Sequence, residues 1–215
     1  MPATLRYEGD IAVLTLGTDE NRFSPDRLDA VGAHLDAVER DASGLITIGT
    51  GKFYSNGLDL EWLLANGDHA EEYVARVQEL FARILTFPMP TVAAVNGHSF
   101  GAGAMLGLAH DYRLMRADRG YYCFPEVDID IVFTPGMAAL IQAKLTPQAA
   151  LTAMTTGRRF GADEALAAGL VDGTAAEPEL LTAALARLAP LTGKNPATVA
   201  GIKATMFGGV TAALR

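Results

Sequence analysis

The stretch Pro90-Thr-Val-Ala-Ala-Val-Asn-Gly-His-Ser-Phe-Gly-Ala-Gly-Ala-Met-Leu-Gly-Leu-Ala-His-Asp111 constrains the fold more than any other part of the chain. Thr91 to Val95 is short, apolar and rich in β-branched residues, the pattern of a buried strand. Gly97, Gly101 and Gly103 then permit a sharp turn and close approach of the backbone to a ligand, and Ala104 to His110 continues as helix. A strand feeding a helix start in this way gathers unpaired N–H groups. Such a place attracts negative charge, whether a phosphate or an enolate oxygen.

The elements around this junction alternate. Leu5 to Leu16 reads as a hairpin about Gly9-Asp10. Ser24-Pro25 opens a helix in which Val31, Leu35 and Val38 share a face up to Arg40, and Leu45 to Ile48 is strand-like. Gly51 to Leu60 reads as a loop leading into Glu61-Trp-Leu-Leu, and a helix over Glu71 to Leu85 puts Val74, Val77, Phe81 and Ile84 on one side. Tyr112 to Met115 and Tyr121 to Phe124 read as short strands. From Met137 the chain is alanine-rich and helical, broken at Pro147, Gly157, Gly161, Gly169 and Pro196. The expectation is an α/β core over residues 1–160 and an almost wholly helical C-terminal region over residues 161–215.

With 215 residues, half of them apolar, the chain can bury one substantial core. A net charge of −8 and the lack of a basic stripe argue against nucleic acid as a partner. The single cysteine, Cys123, excludes an intramolecular disulfide and a cysteine-rich zinc site, and the four histidines lack ligand spacing, so no metal is expected. The N-terminus lacks the apolar core of a signal peptide, no apolar run is long enough to span a bilayer, and Ala-Ala-Leu-Arg is no peroxisomal address. The expectation is a cytoplasmic protein with no membrane partner.

Two familiar patterns fail on inspection. Gly97-His-Ser-Phe-Gly101 imitates a nucleophile elbow, but only His110 follows Ser99, with no acid between them. Gly49-Thr-Gly-Lys-Phe53 imitates a phosphate loop with Ile46 and Phe53 at the wrong places. Glu126 is different. Tyr121-Tyr-Cys-Phe-Pro125 precedes it and Val127 follows, a setting whose desolvation would raise its pKa toward that of a useful base, although a salt-bridged loop carboxylate fits the same residues. Asp128 and Asp130 alternate with Val127, Ile129 and Ile131 and read as the polar side of an extended segment.

Three segments, Phe53-Tyr-Ser-Asn-Gly-Leu-Asp-Leu60, Ala94-Val-Asn-Gly-His-Ser-Phe-Gly-Ala-Gly103 and Phe124-Pro-Glu-Val-Asp-Ile129, resemble the crotonase or enoyl-CoA hydratase/isomerase superfamily in content and order. A fourth, Leu151 to Gly157 with Ala162 to Val171, is similar to its later helices. The resemblance implies a ββα spiral core and an acyl-CoA thioester substrate, with coenzyme A belonging to the substrate and no other cofactor. It implies an oxyanion hole from the Leu58 and Ala102 N–H groups and a homotrimer or hexamer. Hydratases of the family use two glutamates, and Met105 stands at the first of those positions while Glu126 fills the second. One carboxylate beside an oxyanion hole resembles the Δ3,Δ2-enoyl-CoA isomerases.

On that resemblance Glu126 is the acid/base, and Arg22, Ser55, Asn56, Gly57, Asp59, Trp62, Gly101, Met105 and Phe133 border the substrate. Leu63 and Val132 are further acyl walls, and Arg22 stands where the family often places a basic residue near the CoA phosphates. Asp130 departs from the family's glycine, and the chain ends earlier than many relatives, so its tail is expected to pack differently. The competing expectations are another crotonase reaction, such as hydration, decarboxylation or thioester hydrolysis, and a non-catalytic acyl-CoA-binding subunit.

Overall fold

The computed structural model describes residues 2–215. Strands β1 (Thr4–Glu8) and β2 (Ile11–Thr15) form the hairpin, antiparallel, with Gly9 at φ +65° in its turn. Helix α1 (Pro25–Asp41) begins where Ser24 accepts the Arg27 N–H, with Pro25 in its first turn, and buries Leu28, Val31, Leu35 and Val38. Strand β3 (Gly44–Ile48) follows, then β4 (Phe53–Ser55), α2 (Leu60–Ala65) and α3 (Ala70–Leu85). The glycine-rich stretch supplies β5 (Thr91–Val95), β6 (His98–Phe100) and α4 (Ala102–Ala109), every residue of α4 being buried.

Beyond it lie β7 (Tyr112–Arg116), β8 (Tyr122–Cys123), a 3-10 turn at Glu126–Ile129, α5 (Pro135–Lys144), α6 (Pro147–Thr156) and α7 (Ala162–Ala167). The chain closes with β9 (Gly173–Ala175), α8 (Leu180–Leu188), α9 (Pro196–Met206) and α10 (Gly208–Ala213).

The strands form two sheets. One has six strands in the order β1-β2-β3-β5-β7-β9, all parallel beyond the hairpin, and the other stacks β4-β6-β8 in parallel. In the larger sheet alternate residues serve opposite faces. Ala12, Leu14, Leu45, Ala93 and Val95 join the main core with α1, α3 and α4, whereas Val13, Ile46, Val92, Ala94 and Leu114 pack under Leu180, Ala184 and Leu188 of α8.

Three expectations need correction. Phe53–Ser55 and His98–Phe100, read as loop and turn, are strands, and β9 interrupts the helical tail to pair with β7. Residues 127–131 are not extended, because the chain winds into the 3-10 turn and Asp130 takes a left-handed conformation at φ +56°. That conformation is easy for glycine and tolerable for Asp, which explains why a carboxylate can stand there.

The C-terminal helices are tied down by one buried lysine. Lys203 of α9 is 8% exposed and donates to the Met89 carbonyl at 2.9 Å and to Asp111 Oδ2 at 2.7 Å. Asp111 also accepts the Thr91 N–H, and its own N–H donates to Thr91 Oγ1. The starts of β5 and β7 and the middle of α9 thus share one polar knot. Removing the cation strands a carboxylate and a carbonyl, so Lys203→Met is expected to lower stability by about 2–4 kcal/mol in urea unfolding.

Candidate active site

The site grows from two backbone segments in contact. Gly57 sits at φ +80°, and a Cβ there would lie 2.8 Å from the Phe100 carbonyl oxygen and 2.9 Å from the Ala102 nitrogen. A Cβ on Gly103 would come within 2.3 Å of the Ser55 carbonyl oxygen. Only glycine lets the loop after β4 lie this close to the start of α4.

Asn21 shapes that loop from behind. It is fully buried at φ +52° and donates its amide to the carbonyls of Phe53 and Tyr54 at 3.2 and 3.0 Å. Ser55 Oγ donates to the Asn21 carbonyl and accepts the Gly57 N–H, while the Asn56 N–H reaches the Glu20 carbonyl. The N–H groups on either side of the loop's tip are thereby committed to protein.

The next N–H is not. Among the described residues, the Leu58 N–H has no protein acceptor, and neither has that of Ala102, the first residue of α4. Gly101, at φ +51°, turns the chain into the helix and donates to the Cys123 carbonyl at 2.9 Å. Two free donors therefore flank one close contact.

Glu126 faces the same turn. Its Oε1 lies 3.3 Å from the position a Cβ would take on Gly101, its Oε2 has no hydrogen-bond partner, and the residue is 8% exposed. Strand β8 and Pro125 deliver it, and the left-handed turn at Asp130 holds it, because the Asp130 and Ile131 N–H groups both donate to the Glu126 carbonyl. Burial pushes its carboxyl up to about 7. That value suits a group that must take and return a proton near neutrality.

A cavity of about 310 Å³ joins these parts. Of the residues singled out in the sequence, Arg22, Asn56, Leu58, Gly101, Ala102, Met105, Glu126, Val132 and Phe133 line it. Ser55 and Gly57 stand behind its wall as described. Asp59 caps α2 by accepting the Trp62 N–H at 3.2 Å, and the Trp62 ring packs on Tyr73 with centroids 5.0 Å apart, away from the cavity wall. Leu63 packs against the core. Asn21, Leu60, Phe100, Ile129, Ile131 and Met137 are contributors that sequence reasoning passed over; the apolar alternation around Ile129 and Ile131 was the one available signal.

Arg22 is already engaged. Its Nε contacts Glu20 Oε2 at 2.6 Å, Nη1 contacts Glu61 Oε1 at 3.2 Å, and Asp59 Oδ1 lies 4.0 Å from Nη1. Glu61 is the cavity's second carboxylate, but it is exposed at the mouth and paired with this arginine. The interior holds one carboxylate, two donor amides and the apolar Met105. Ser99 is buried on β6 with no partner for its hydroxyl, and no group of His, Cys, Asp and Glu among the described residues could hold a metal.

A paired-sheet spiral with a glycine-cradled helix start is the crotonase fold, and a solved enoyl-CoA hydratase/isomerase family protein from Pseudomonas syringae has it, with a TM-score of 0.93 and 30% identity over 99% of this chain and 93% of that one. The family model for enoyl-CoA hydratase/isomerase matches residues 6–215, and the chain belongs to that family. It is 40% identical over 181 residues to enoyl-CoA delta isomerase 3 of Arabidopsis thaliana, covering 80% of this chain and 76% of that protein. It is 37% identical over 187 residues to the peroxisomal enoyl-CoA delta isomerase 2 of the same plant, covering 82% and 78%.

The raised pKa carries a stability signature. Below pH 4.5 the carboxyl is protonated whether the chain is folded or not, so burial costs nothing through ionisation. As pH rises from 4.5 to about 7 the unfolded chain ionises first, and stability falls until the folded group also ionises. Glu126→Gln escapes this loss. In urea unfolding it is expected to exceed the wild type by about 2–3 kcal/mol at pH 8, with the gain vanishing near pH 4.

Proposed function

We propose that the protein is a Δ3,Δ2-enoyl-CoA isomerase. The observation that carries this reading is a single buried carboxylate, Glu126, beside two unpaired amides, with a thioether where a second acid would be needed. The thioester oxygen accepts the Leu58 and Ala102 N–H groups. Glu126 in its ionised form removes a proton from C2 of a 3-enoyl thioester, and the electron pair delocalises into the thioester carbonyl, placing charge on its oxygen, and through the C3–C4 double bond onto C4, giving a dienolate. Glu126 then returns that proton to C4, leaving the double bond between C2 and C3. No atom is gained or lost.

Fixed amides suit this sequence because they point where charge develops and need no reorganisation. Each such donor is typically worth about 3–4 kcal/mol of transition-state stabilisation. The free N–H of Ala102 also carries the positive end of α4. Arg22 and Asn56, polar residues of the cavity lining, face the CoA portion in this reading, and Met105 and Phe133 the acyl chain.

Hydration is the competing reading. It needs a second group to activate or protonate water, and the cavity offers only Met105 at that place. The names of the Arabidopsis relatives favour isomerisation. With trans-3-hexenoyl-CoA as substrate, Glu126→Gln is expected to lower kcat by about 10²–10⁴-fold. In the wild type, kcat/KM should climb with pH to a plateau with its midpoint near 7, since the base acts ionised. Full activity in the variant would remove Glu126 from the chemistry, and rapid water addition to crotonyl-CoA would put hydration first.

A further inference from the structure

The residues lining the cavity are of two chemical kinds. Arg22, Asn56 and Glu61 are polar, and Leu60, Ile129, Ile131 and Val132 are aliphatic. The aliphatic residues are exposed to solvent. Val132 is 89% exposed, Ile129 47%, Ile131 42% and Leu60 36%, yet all four line the cavity that holds Glu126. Water against so much aliphatic surface is unfavourable, and exposed aliphatic residues that line one cavity mark a place where something apolar is received.

This lip is built rather than loose. At one end the Asp130 and Ile131 N–H groups are fastened to the Glu126 carbonyl. At the other, Thr134 caps α5 by accepting the Met137 N–H and donates to Gln78 Oε1 of α3 at 2.5 Å. The segment between them holds its side chains at the opening. It does not close the cavity, so a chain longer than the interior can run out over it.

Resting on the isomerase reading, we propose that the lip of Leu60, Ile129, Ile131 and Val132 carries the distal part of a long acyl chain, making the site selective for long-chain thioesters. The occupant is the substrate itself, because these residues line the same cavity as Glu126 and Met105. A methylene fully removed from water gains roughly fourfold in affinity, and one covered on a single side roughly twofold. Affinity should therefore go on rising after the interior is full.

Binding of saturated hexanoyl-, decanoyl- and tetradecanoyl-CoA, measured by calorimetry below their micellar concentrations, reads this directly without turnover. The wild type is expected to bind tetradecanoyl-CoA at least tenfold more tightly than hexanoyl-CoA, and the Ile131→Ser/Val132→Ser double variant to keep less than about a threefold preference. Leu60→Ser, on a different element from the Glu126 turn, should also reduce the ratio and guards against a folding defect in the double variant. A wild-type ratio near one, or a ratio retained in the variants, overturns the proposal. So does a retained ratio accompanied by a fall in mass on sedimentation, which would make the lip a contact between copies of the chain. Conversion of 3-hexenoyl-CoA by the wild type is measured separately. Its absence defeats the isomerase reading and leaves the length ratio to judge the lip.

Discussion

The main-chain contact between Ser55–Leu58 and Gly101–Gly103 is the constraint on which the site depends. Strands β4 and β6 run side by side, and the backbone leaving each must turn away without a side chain between them. A methyl group on Gly103 would occupy the space of the Ser55 carbonyl, and one on Gly57 would press on the Ala102 nitrogen. Relieving either clash would separate the two free N–H groups. The third strand of that sheet, β8, brings Pro125 and Glu126 to the same edge, so three short strands place both donors and the carboxylate.

Stability is given up at this point. A carboxylate with an unpartnered oxygen is buried where an amide would sit more comfortably, and two N–H groups are left without protein acceptors. The surrounding structure over-determines the arrangement: Asn21 and Ser55 hold the loop, Gly101 is tied to Cys123, and the Glu126 carbonyl anchors its own turn. Local frustration within a well-satisfied frame is the usual condition of a reacting centre.

Much of this was legible in the sequence, for identifiable reasons. The long helices α1 and α3 showed their apolar faces over four turns, and α1 announced its start with Ser24-Pro25. Glu126 stood out by its apolar neighbours, whereas Met105 acquired meaning only through the resemblance to hydratases that carry a glutamate at its position. Strands β4, β6 and β9 were missed because three residues cannot display a period of two. The turn after Glu126 was misread for the opposite reason: Val127, Asp128, Ile129, Asp130 and Ile131 alternate as a strand would, but a left-handed Asp130 folds them back. Trp62 carries no signal for which of its faces is covered. Asn21 resembles any loop asparagine until its two carbonyl partners, more than thirty residues away, are in place.

The carboxylates around Arg22 affect how the mouth responds to its medium. An isolated arginine would draw in any anion and would lose that hold steeply as salt is added. Arg22 instead has Glu20, Glu61 and Asp59 about it, so a phosphate arriving there exchanges one set of acidic neighbours for another. Attraction is traded for discrimination. Simple anions gain little from an arginine so surrounded, and a ligand must bring further contacts of its own to displace the acids.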